Sequence, residues 1–510
     1  MQRTEPDALV VGFSLPAGCT RVAFLKDGPG AGTIRSRWQP LNGGIAGSDA
    51  LTHTASTPVE LRFRVPVTSD KVTGYPGSFP VGEAVYAHMS NYAVGAQCGP
   101  VRYRFASTGA VETARASFDR RAPTDDDAPA LLFLKPRSAA QGLDYLDPAL
   151  SPEAAAQIRR VADETAAFLH QRMPHAIFKR PIIAATLASE PGGPNIGGSA
   201  GEILLLSLFN WPAAPDPEVQ RKMNKLVAHE MSHRFQMRDA VEGYRDARLI
   251  HEGGAEFLRW AVSLERGWLT PEQAGAELDD ALATCMLATR ERSWRAVPAN
   301  EVAANWLEYS CGLPAYVYAL AARQGEGSPF GRIDAFYNQL RAGAAPDFAS
   351  AIECGDKPCQ PRVLTSLLSG TAPMPDAWAN ILDSGRLAMR RPPTQAQIDA
   401  MMLQAITTLV KDDCNGDSSM TPTARNILID GMKACKTTRV DIDVEQIEGK
   451  PVFGNGDALP AMVAACGVRK KVMLGLKGGG VLALPCSTPY RASTHFYAAD
   501  MKKIIRKLLG

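Results

Sequence analysis

The chain has 510 residues, which is too long for one ordinary hydrophobic core and predicts about two to four domains. With 55 basic and 53 acidic residues its formal net charge is +2, so the charge balance gives no reason to expect nucleic acid as a partner. No apolar run is long enough to cross a bilayer, and we therefore expect no integral membrane segment.

The cysteines indicate an exported protein. Ten are present and none lies in a C-x-x-C pair, which argues against a structural zinc site and favours disulfides over ten buried thiols. The N-terminus lacks the basic and apolar regions of a signal peptide, so the chain is either cytosolic or a mature form without its leader. The cysteines favour the mature form, and the absence of an N-x-[ST] sequon favours a bacterial periplasmic or secreted protein.

The first predicted domain, residues 1–128, is rich in strands. Residues 59–65 and 101–105 alternate apolar and polar side chains, as half-buried strands of a β-sandwich do. The polar, proline-flanked residues 121–129 then predict an interdomain linker.

The second predicted domain, residues 129–391, is mostly helical. Ser151-Pro152 and Asp216-Pro217 are strong helix starts, because each places a capping side chain before a proline at the first helical position. Apolar runs predict two strands between these helices. The predicted strands are residues 181–187 and 202–209, and further helices are expected at 250–264, 271–289 and 301–323.

The third predicted domain, residues 394–510, follows a proline-rich break. We expect a helix, a hairpin at residues 472–484 around Gly478-Gly479-Gly480, and a basic terminal helix at 495–509. The overall fold class is multidomain α+β, with a small α+β domain of unassigned role at the C-terminal end.

The most informative motif is His229-Glu230-Met231-Ser232-His233, which the pattern places inside the helix that begins at Asp216-Pro217. Residues four apart share a helix face, so both imidazoles can reach one metal ion, while Glu230 lies beside that ion and can hold a water molecule. A catalytic zinc site needs a third protein ligand and an open position. Glu252, after a spacer of eighteen residues, is the candidate.

This arrangement resembles the gluzincin zinc peptidases, in particular the aminopeptidase N and leukotriene hydrolase group and the glycyl aminopeptidase group. The resemblance rests on H-E-x-x-H followed after eighteen residues by Glu252 in His251-Glu252-Gly253-Gly254-Ala255 and covers about residues 140–330. It implies a thermolysin-like catalytic domain, one Zn²⁺ ion bound by His229, His233 and Glu252, and a peptide or protein substrate.

Two more residues match positions of that family. Tyr309, in Tyr309-Ser310-Cys311-Gly312, corresponds to the tyrosine that supports the oxyanion, although Cys311 replaces the usual lysine; the alternative is a packing residue. Glu256 corresponds to a carboxylate that orients a zinc-bound histidine in some thermolysin-like enzymes; the alternative is a solvated helix charge.

One family feature is missing. The aminopeptidase N group has a G-A-M-E-N strand whose glutamate binds the substrate's free amine, and the nearest counterpart is Glu202 in Gly201-Glu202 before an apolar strand. Glu202 is therefore a candidate amine-binding residue or simply the start of a strand. The family favours an aminopeptidase, whereas the departure from this motif favours an endopeptidase.

The predicted activity is hydrolysis of a peptide bond by a zinc-activated water, with Glu230 as general base and Tyr309 as hydrogen-bond donor to the oxyanion. The alternative from another class is a catalytically inactive zinc-binding scaffold on a peptidase fold, since fold alone does not establish activity. A third reading keeps the zinc site but hydrolyses a non-peptide bond.

Overall fold

A computed structural model gives the three-dimensional structure of the chain, which divides into two compact units. One comprises Met1–Ala240 with Leu258–Trp268, and the other Val241–Phe257 with Leu269–Gly510. The residues that the structure describes are 1–25, 29–68, 78–113, 117–123, 129–136, 144–188, 193–200, 203–289, 291–323, 327–355, 357–416, 420–423, 425–487, 490–493 and 496–510.

The first unit begins with a large sheet. Its strand order is β4-β7-β2-β1-β10-β12-β9-β8, with β11 paired to β10, and β3, β6 and β5 form a smaller sheet. These elements are β1 Gln2–Arg3, β2 Ala8–Leu15, β3 Arg21–Ala23, α1 Pro29–Arg35, β4 Gln39–Pro40, β5 Ile45–Ala46, β6 Ala50–Thr52, β7 Val59–Pro66, β8 Ser78–Val81, β9 Ala84–Ala87, β10 Arg104–Thr113, β11 Ser117–Pro123 and β12 Ala130–Phe133.

Apolar and polar side chains alternate along strand β7 of this sheet, and most of the apolar ones are buried. In β7 the side chains of Leu61, Phe63 and Val65 are buried, and the strand pairs antiparallel with β2 along its whole length. The strand expected at residues 101–105 begins only at Arg104. β12 pairs with β10 and β9, so the sheet continues beyond the expected linker at residues 121–129. The three domain ranges stay predictions.

A second, four-stranded sheet in this unit has the order β13-β14-β16-β15. Its elements and the helices around it are β13 Asp144–Leu146, α2 Pro152–Arg172, β14 Ile182–Ala188, β15 Asn195–Ala200, β16 Ile203–Phe209 and α3 Pro217–Ser232. Strands β13, β14 and β16 run parallel, and β15 joins β16 antiparallel as the edge strand. Every residue of β16 is buried, as a central strand requires.

Both expected helix starts are present. The Ser151 side chain accepts a hydrogen bond from the Ala154 N–H, and the Asp216 carboxylate accepts from the N–H groups of Glu218 and Val219. These caps satisfy donors that the first turn of a helix leaves unpaired. Helix α3 ends at Ser232 rather than continuing past His233, which begins a 3₁₀ turn at His233–Phe235.

The helices that follow are shorter than expected in places. They are α4 Arg238–Val241, a π-helical turn Leu249–Gly253, α5 Gly254–Glu265, α6 Pro271–Thr289, α7 Ala299–Ala304, α8 Leu307–Ser310, α9 Gly312–Ala322, α10 Pro329–Arg341, α11 Phe348–Glu353 and α12 Met374–Gly385. The single helix expected at residues 301–323 is therefore wrong. It is broken at Trp306, whose left-handed backbone (φ 53°, ψ 36°) cannot continue an α-helix.

The end of the second unit is α+β, as expected. Its elements are β17 Ala388–Arg390, α13 Gln395–Asp413, β18 Met420–Pro422, β19 Ile427–Ile429, β20 Ile442–Ile447, β21 Lys450–Pro451, α14 Ala458–Arg469, β22 Lys471–Leu476, β23 Val481–Pro485, β24 Tyr497–Ala499 and α15 Met501–Leu508. The hairpin β22–β23 is confirmed. Gly478, Gly479 and Gly480 all take positive φ in its turn, which favours glycine.

All ten cysteines form disulfides, and each lies within a predicted domain. The pairs are Cys19–Cys98, Cys285–Cys311, Cys354–Cys359, Cys414–Cys435 and Cys466–Cys486. Among the described helices, none has both the length and the apolar character that a membrane crossing requires.

Candidate metal centre

Two imidazoles converge where helix α3 ends. His229 is in the last turn of α3, and His233 opens the following 3₁₀ turn. Their Nε2 atoms are 3.1 Å apart, and the rings are perpendicular with centroids separated by 4.7 Å. Two ligands of a tetrahedral zinc ion are about 3.4 Å apart when each bond is about 2.1 Å long. The pair is therefore spaced as two nitrogen ligands of one ion would be.

A neighbouring amide orients one of these rings. The Gln236 Oε1 lies 3.0 Å from the His233 Nδ1, so Nδ1–H can donate to it. In the neutral ring this hydrogen bond leaves the lone pair on Nε2, the atom that faces His229. Metal-binding histidines commonly have such an acceptor on the second ring nitrogen.

Glu252 lies in the π-helical turn Leu249–Gly253 and is half-buried. Short π-helical turns of this kind occur frequently at functional sites. The Ile250 carbonyl in this turn accepts from the Gly254 N–H and also from the buried Tyr316 hydroxyl, at 2.7 Å. Burial raises the pKa of Tyr316 well above its ordinary value, so its hydroxyl remains a donor.

The expected ligand set forms a candidate metal site. One ligand atom from each of His229, His233 and Glu252 lies within 4.8 Å of the others. Two nitrogen donors and one carboxylate oxygen are a donor set of catalytic zinc sites. Within the part of the chain that the structure describes, the other such group is Asp413, Cys414 and Cys435, but its two sulfur atoms are joined in a disulfide and do not serve as thiolate ligands.

Glu230 is between the two histidines in sequence and is buried, with 8% of its surface exposed. A carboxylate in such surroundings must be hydrogen-bonded or matched by a positive charge. Its position on α3, next to His229, is the one that the H-E-x-x-H spacing predicts for a general base.

Tyr309 is in the short helix α8, which three interactions fix to neighbouring segments of the same unit. The neighbouring residue Glu308 is completely buried and pairs with Arg248, whose Nε lies 3.1 Å from the Glu308 Oε1. Cys311, two residues after Tyr309, is bonded to Cys285 of helix α6. Gly312 packs against Gly253, which adjoins Glu252.

The remaining predicted residues have different outcomes. Glu256 is buried, with 6% of its surface exposed, and its role stays a prediction. Glu202 lies outside the described residues, and its role stays a prediction. His251 is buried in the π-helical turn.

Comparison with known proteins identifies the fold of the chain. No family model matches the chain, and no curated protein matches it. A solved structure of an aminopeptidase N family protein from Idiomarina loihiensis aligns over 99% of both chains, with a TM-score of 0.57 and 9% sequence identity. The chain has the fold of an aminopeptidase N family protein.

Two further solved structures align with lower scores. Aminopeptidase A from Legionella pneumophila covers 72% of this chain and 45% of its own, with a TM-score of 0.39 and 14% identity. An M1 zinc metallopeptidase from Deinococcus radiodurans covers 75% of this chain and 91% of its own, with a TM-score of 0.34 and 13% identity.

Sequence reasoning missed three residues near the proposed ligands. Gln236 follows His233 by three residues, a spacing that one tight turn brings together. Arg248 and Glu308 are sixty residues apart and form an ion pair that no local sequence pattern predicts. Only the identity of Gln236, a polar side chain three residues after the histidine motif, offered a signal.

Proposed function

We propose that the protein is a zinc-dependent peptidase, with His229, His233 and Glu252 as metal ligands. The observation that carries the proposal is the pair of Nε2 atoms 3.1 Å apart, one of them on a ring that Gln236 orients. The aminopeptidase N fold supports it at the level of architecture. Fold alone does not establish activity, so the chemistry is argued from the residues.

Zinc in this site would polarise a peptide carbonyl and lower the pKa of water towards ~7. Glu230 accepts the proton of the attacking water and then delivers it to the leaving amine. Tyr309 donates a hydrogen bond to the oxyanion that develops on the carbonyl. Gln236 keeps the His233 ring in the tautomer that ligation requires, and Glu256 is proposed to act similarly on a zinc-bound histidine.

Removal of the N-terminal residue of a peptide is the favoured form of this activity. It is supported by the alignment with an aminopeptidase N family protein over 99% of both chains. Glu202 is the proposed partner of the substrate's free amine, because a carboxylate pairs with an ammonium group.

The proposed working place of the enzyme is outside the cytoplasm, in a periplasm or in secreted form. The five disulfides support it, because structural disulfides form and persist in oxidising compartments. Trapping of free thiols in intact producing cells checks this proposal. Extensive labelling of the ten cysteines in the native protein would contradict it.

One experiment tests the activity and its form together. Purified protein is analysed for metal and then incubated with defined peptides whose N-termini are free or acetylated, with and without a chelator. We expect about one zinc per chain and stepwise loss of N-terminal residues from the free peptides only, abolished by the chelator. Internal cleavage of acetylated peptides would indicate an endopeptidase, and bound zinc without any cleavage would indicate an inactive scaffold.

A further inference from the structure

Arg248 is next to the candidate centre and is not used in the proposed chemistry. It directly precedes the π-helical turn Leu249–Gly253, in helical conformation (φ −65°, ψ −43°), and Glu252 follows it by four residues. Side chains at this spacing are neighbours on a helix surface. Arg248 is therefore placed beside a proposed zinc ligand.

A buried carboxylate holds one edge of its guanidinium. Both Nε and Nη2 of Arg248 donate to the Glu308 Oε1, with the Nε at 3.1 Å. The Glu308 side chain is fully buried, whereas 60% of the Arg248 side chain is exposed to solvent. The anchored edge fixes the direction of the guanidinium, and its other edge faces solvent.

The number of N–H donors shows what the solvent-facing edge of the Arg248 guanidinium can bind. A guanidinium has five N–H groups in one plane, and the bonds to Glu308 use one on Nε and one on Nη2. The other three donate to no acceptor among the residues that the structure describes. A planar fork of this kind matches the oxygens of a carboxylate or a phosphate, and the carboxylate is the one that a peptide substrate offers.

The charges around Arg248 agree with a role at the candidate metal centre. Burial alone would lower the pKa of Arg248, but the hydrogen bond and charge of Glu308, with smaller contributions from Glu252 and Tyr309, raise it. Arg248 is thus within electrostatic range of both a proposed ligand and the proposed oxyanion donor. A substrate group that contacts its open edge would lie close to the cleaved bond.

We infer that Arg248 selects substrates by pairing its solvent-facing N–H groups with a carboxylate close to the cleaved bond. This inference rests on the proposed peptidase function and adds the substrate class, which is peptides with an acidic side chain or a free C-terminal carboxylate within a residue or two of that bond. Because Glu308 has already ordered the guanidinium, little side-chain entropy is lost on binding.

The test compares matched peptides. One arm exchanges glutamate for glutamine at each position next to the cleaved bond, and a second exchanges a free C-terminus for an amide. We expect the carboxylate form of one arm to be cleaved with a kcat/KM roughly 10- to 100-fold higher, as a charged hydrogen-bonded pair allows. Equal rates for both members in both arms would overturn the inference and leave the peptidase proposal intact.

Variants separate recognition from positioning. Arg248→Lys keeps the charge and loses the fork, and the double variant Arg248→Gln with Glu308→Gln avoids leaving a buried charge unpaired. If Arg248 recognises substrate, both variants lower the ratio of kcat/KM between the carboxylate and amide peptides towards one. They do so mainly by raising KM for the carboxylate peptide. If it only holds the segment that carries Tyr309, they reduce kcat for both peptides equally and the preference survives, which would refute the inference. Arg245→Gln, an exposed arginine three residues earlier, is the matched control.

A binding measurement keeps the inference testable without turnover. The same peptide pairs are titrated into the zinc-loaded Glu230→Gln protein by calorimetry. We expect tighter binding of the carboxylate member and loss of that difference when Arg248→Lys is added. If neither peptide is cleaved by the parent but the binding difference is present, the peptidase proposal fails while the recognition by Arg248 stands.

Discussion

Gly253 and Gly312 are in direct backbone contact. A β-carbon on Gly253 would lie 2.6 Å from the Gly312 Cα, and one on Gly312 would lie 2.4 Å from the Gly253 Cα. Neither position accepts a side chain unless one segment moves. Because Gly253 adjoins Glu252 and Gly312 follows Tyr309 by three residues, this contact fixes the spacing between the segments that carry both residues.

Substitution of either glycine by alanine should therefore lower stability and activity together. We expect Gly253→Ala or Gly312→Ala to cost about 1–3 kcal/mol of unfolding free energy, because backbone cannot move aside as a side-chain tip can. Denaturant unfolding measures this. Gly243→Ala is the control, since a β-carbon there meets nothing within 4 Å. Equal stabilities of the three variants would show that the contact is not tight in solution.

The proposed general base, Glu230, can be tested by a single substitution. Glu230→Gln keeps the size of the side chain and removes its capacity to accept a proton, so we expect peptide hydrolysis to fall by roughly 10²–10⁴-fold with zinc still bound. Metal analysis and kcat are measured on the same preparation. Glu218→Gln, at an exposed position of the same helix, should retain the parent rate. Full activity of Glu230→Gln would remove Glu230 from the mechanism.

Gln236 should matter for metal affinity rather than for catalysis directly. Gln236→Leu removes the acceptor 3.0 Å from the His233 Nδ1, and we expect zinc affinity to fall by about 10- to 100-fold. Competition with a chelating dye measures the affinity. Gln236→Glu, which still accepts a hydrogen bond, should restore most of it. An unchanged affinity in Gln236→Leu would mean that His233 does not depend on this hydrogen bond.

Tyr309 is expected to act on the transition state. Tyr309→Phe removes one hydroxyl, so kcat should fall by roughly 10²–10³-fold while KM and zinc content stay near those of the parent. Steady-state kinetics separates these quantities. Tyr490→Phe removes a hydroxyl that donates to Gln404 in the C-terminal part and should change neither kcat nor KM. A Tyr309→Phe enzyme with parent kcat would assign Tyr309 to packing.

The parts that were predictable from sequence are those set by local spacing. Ser151 and Asp216 cap their helices as expected, and the convergence of His229 and His233 follows from the helical repeat. The π-helical turn at Leu249–Gly253 and the break at Trp306 were not predictable, because packing between distant segments decides them. The Gly253–Gly312 contact and the Tyr316 hydrogen bond are interactions of that kind.

The pH dependence of stability should reveal a buried carboxylate in helix α6. Burial raises the pKa of Asp279 to about 6 from an ordinary 3.8, although the Ala499 N–H and the charge of Arg391 oppose the shift. Between these two pH values the folded chain holds a proton that the unfolded chain has released. The stability that Asp279 contributes is therefore fully present below pH 3.8 and is lost as the pH rises through about 6.

Asp279→Asn should remove this loss, because an amide oxygen still accepts from the Ala499 N–H at 2.9 Å and carries no charge. Because Asp279 is partly exposed, solvent screening reduces the free energy expected from its pKa shift. We expect Asp279→Asn to stabilise the protein by about 1–2 kcal/mol at pH 7.5 and by little at pH 4. Denaturant unfolding at several pH values measures both. Glu272→Gln on the same helix is the opposite case: backbone and Thr270 hydrogen bonds lower the pKa of Glu272, so its contribution is lost as pH falls. A pH-independent effect of Asp279→Asn would show that Asp279 is solvated in the folded protein.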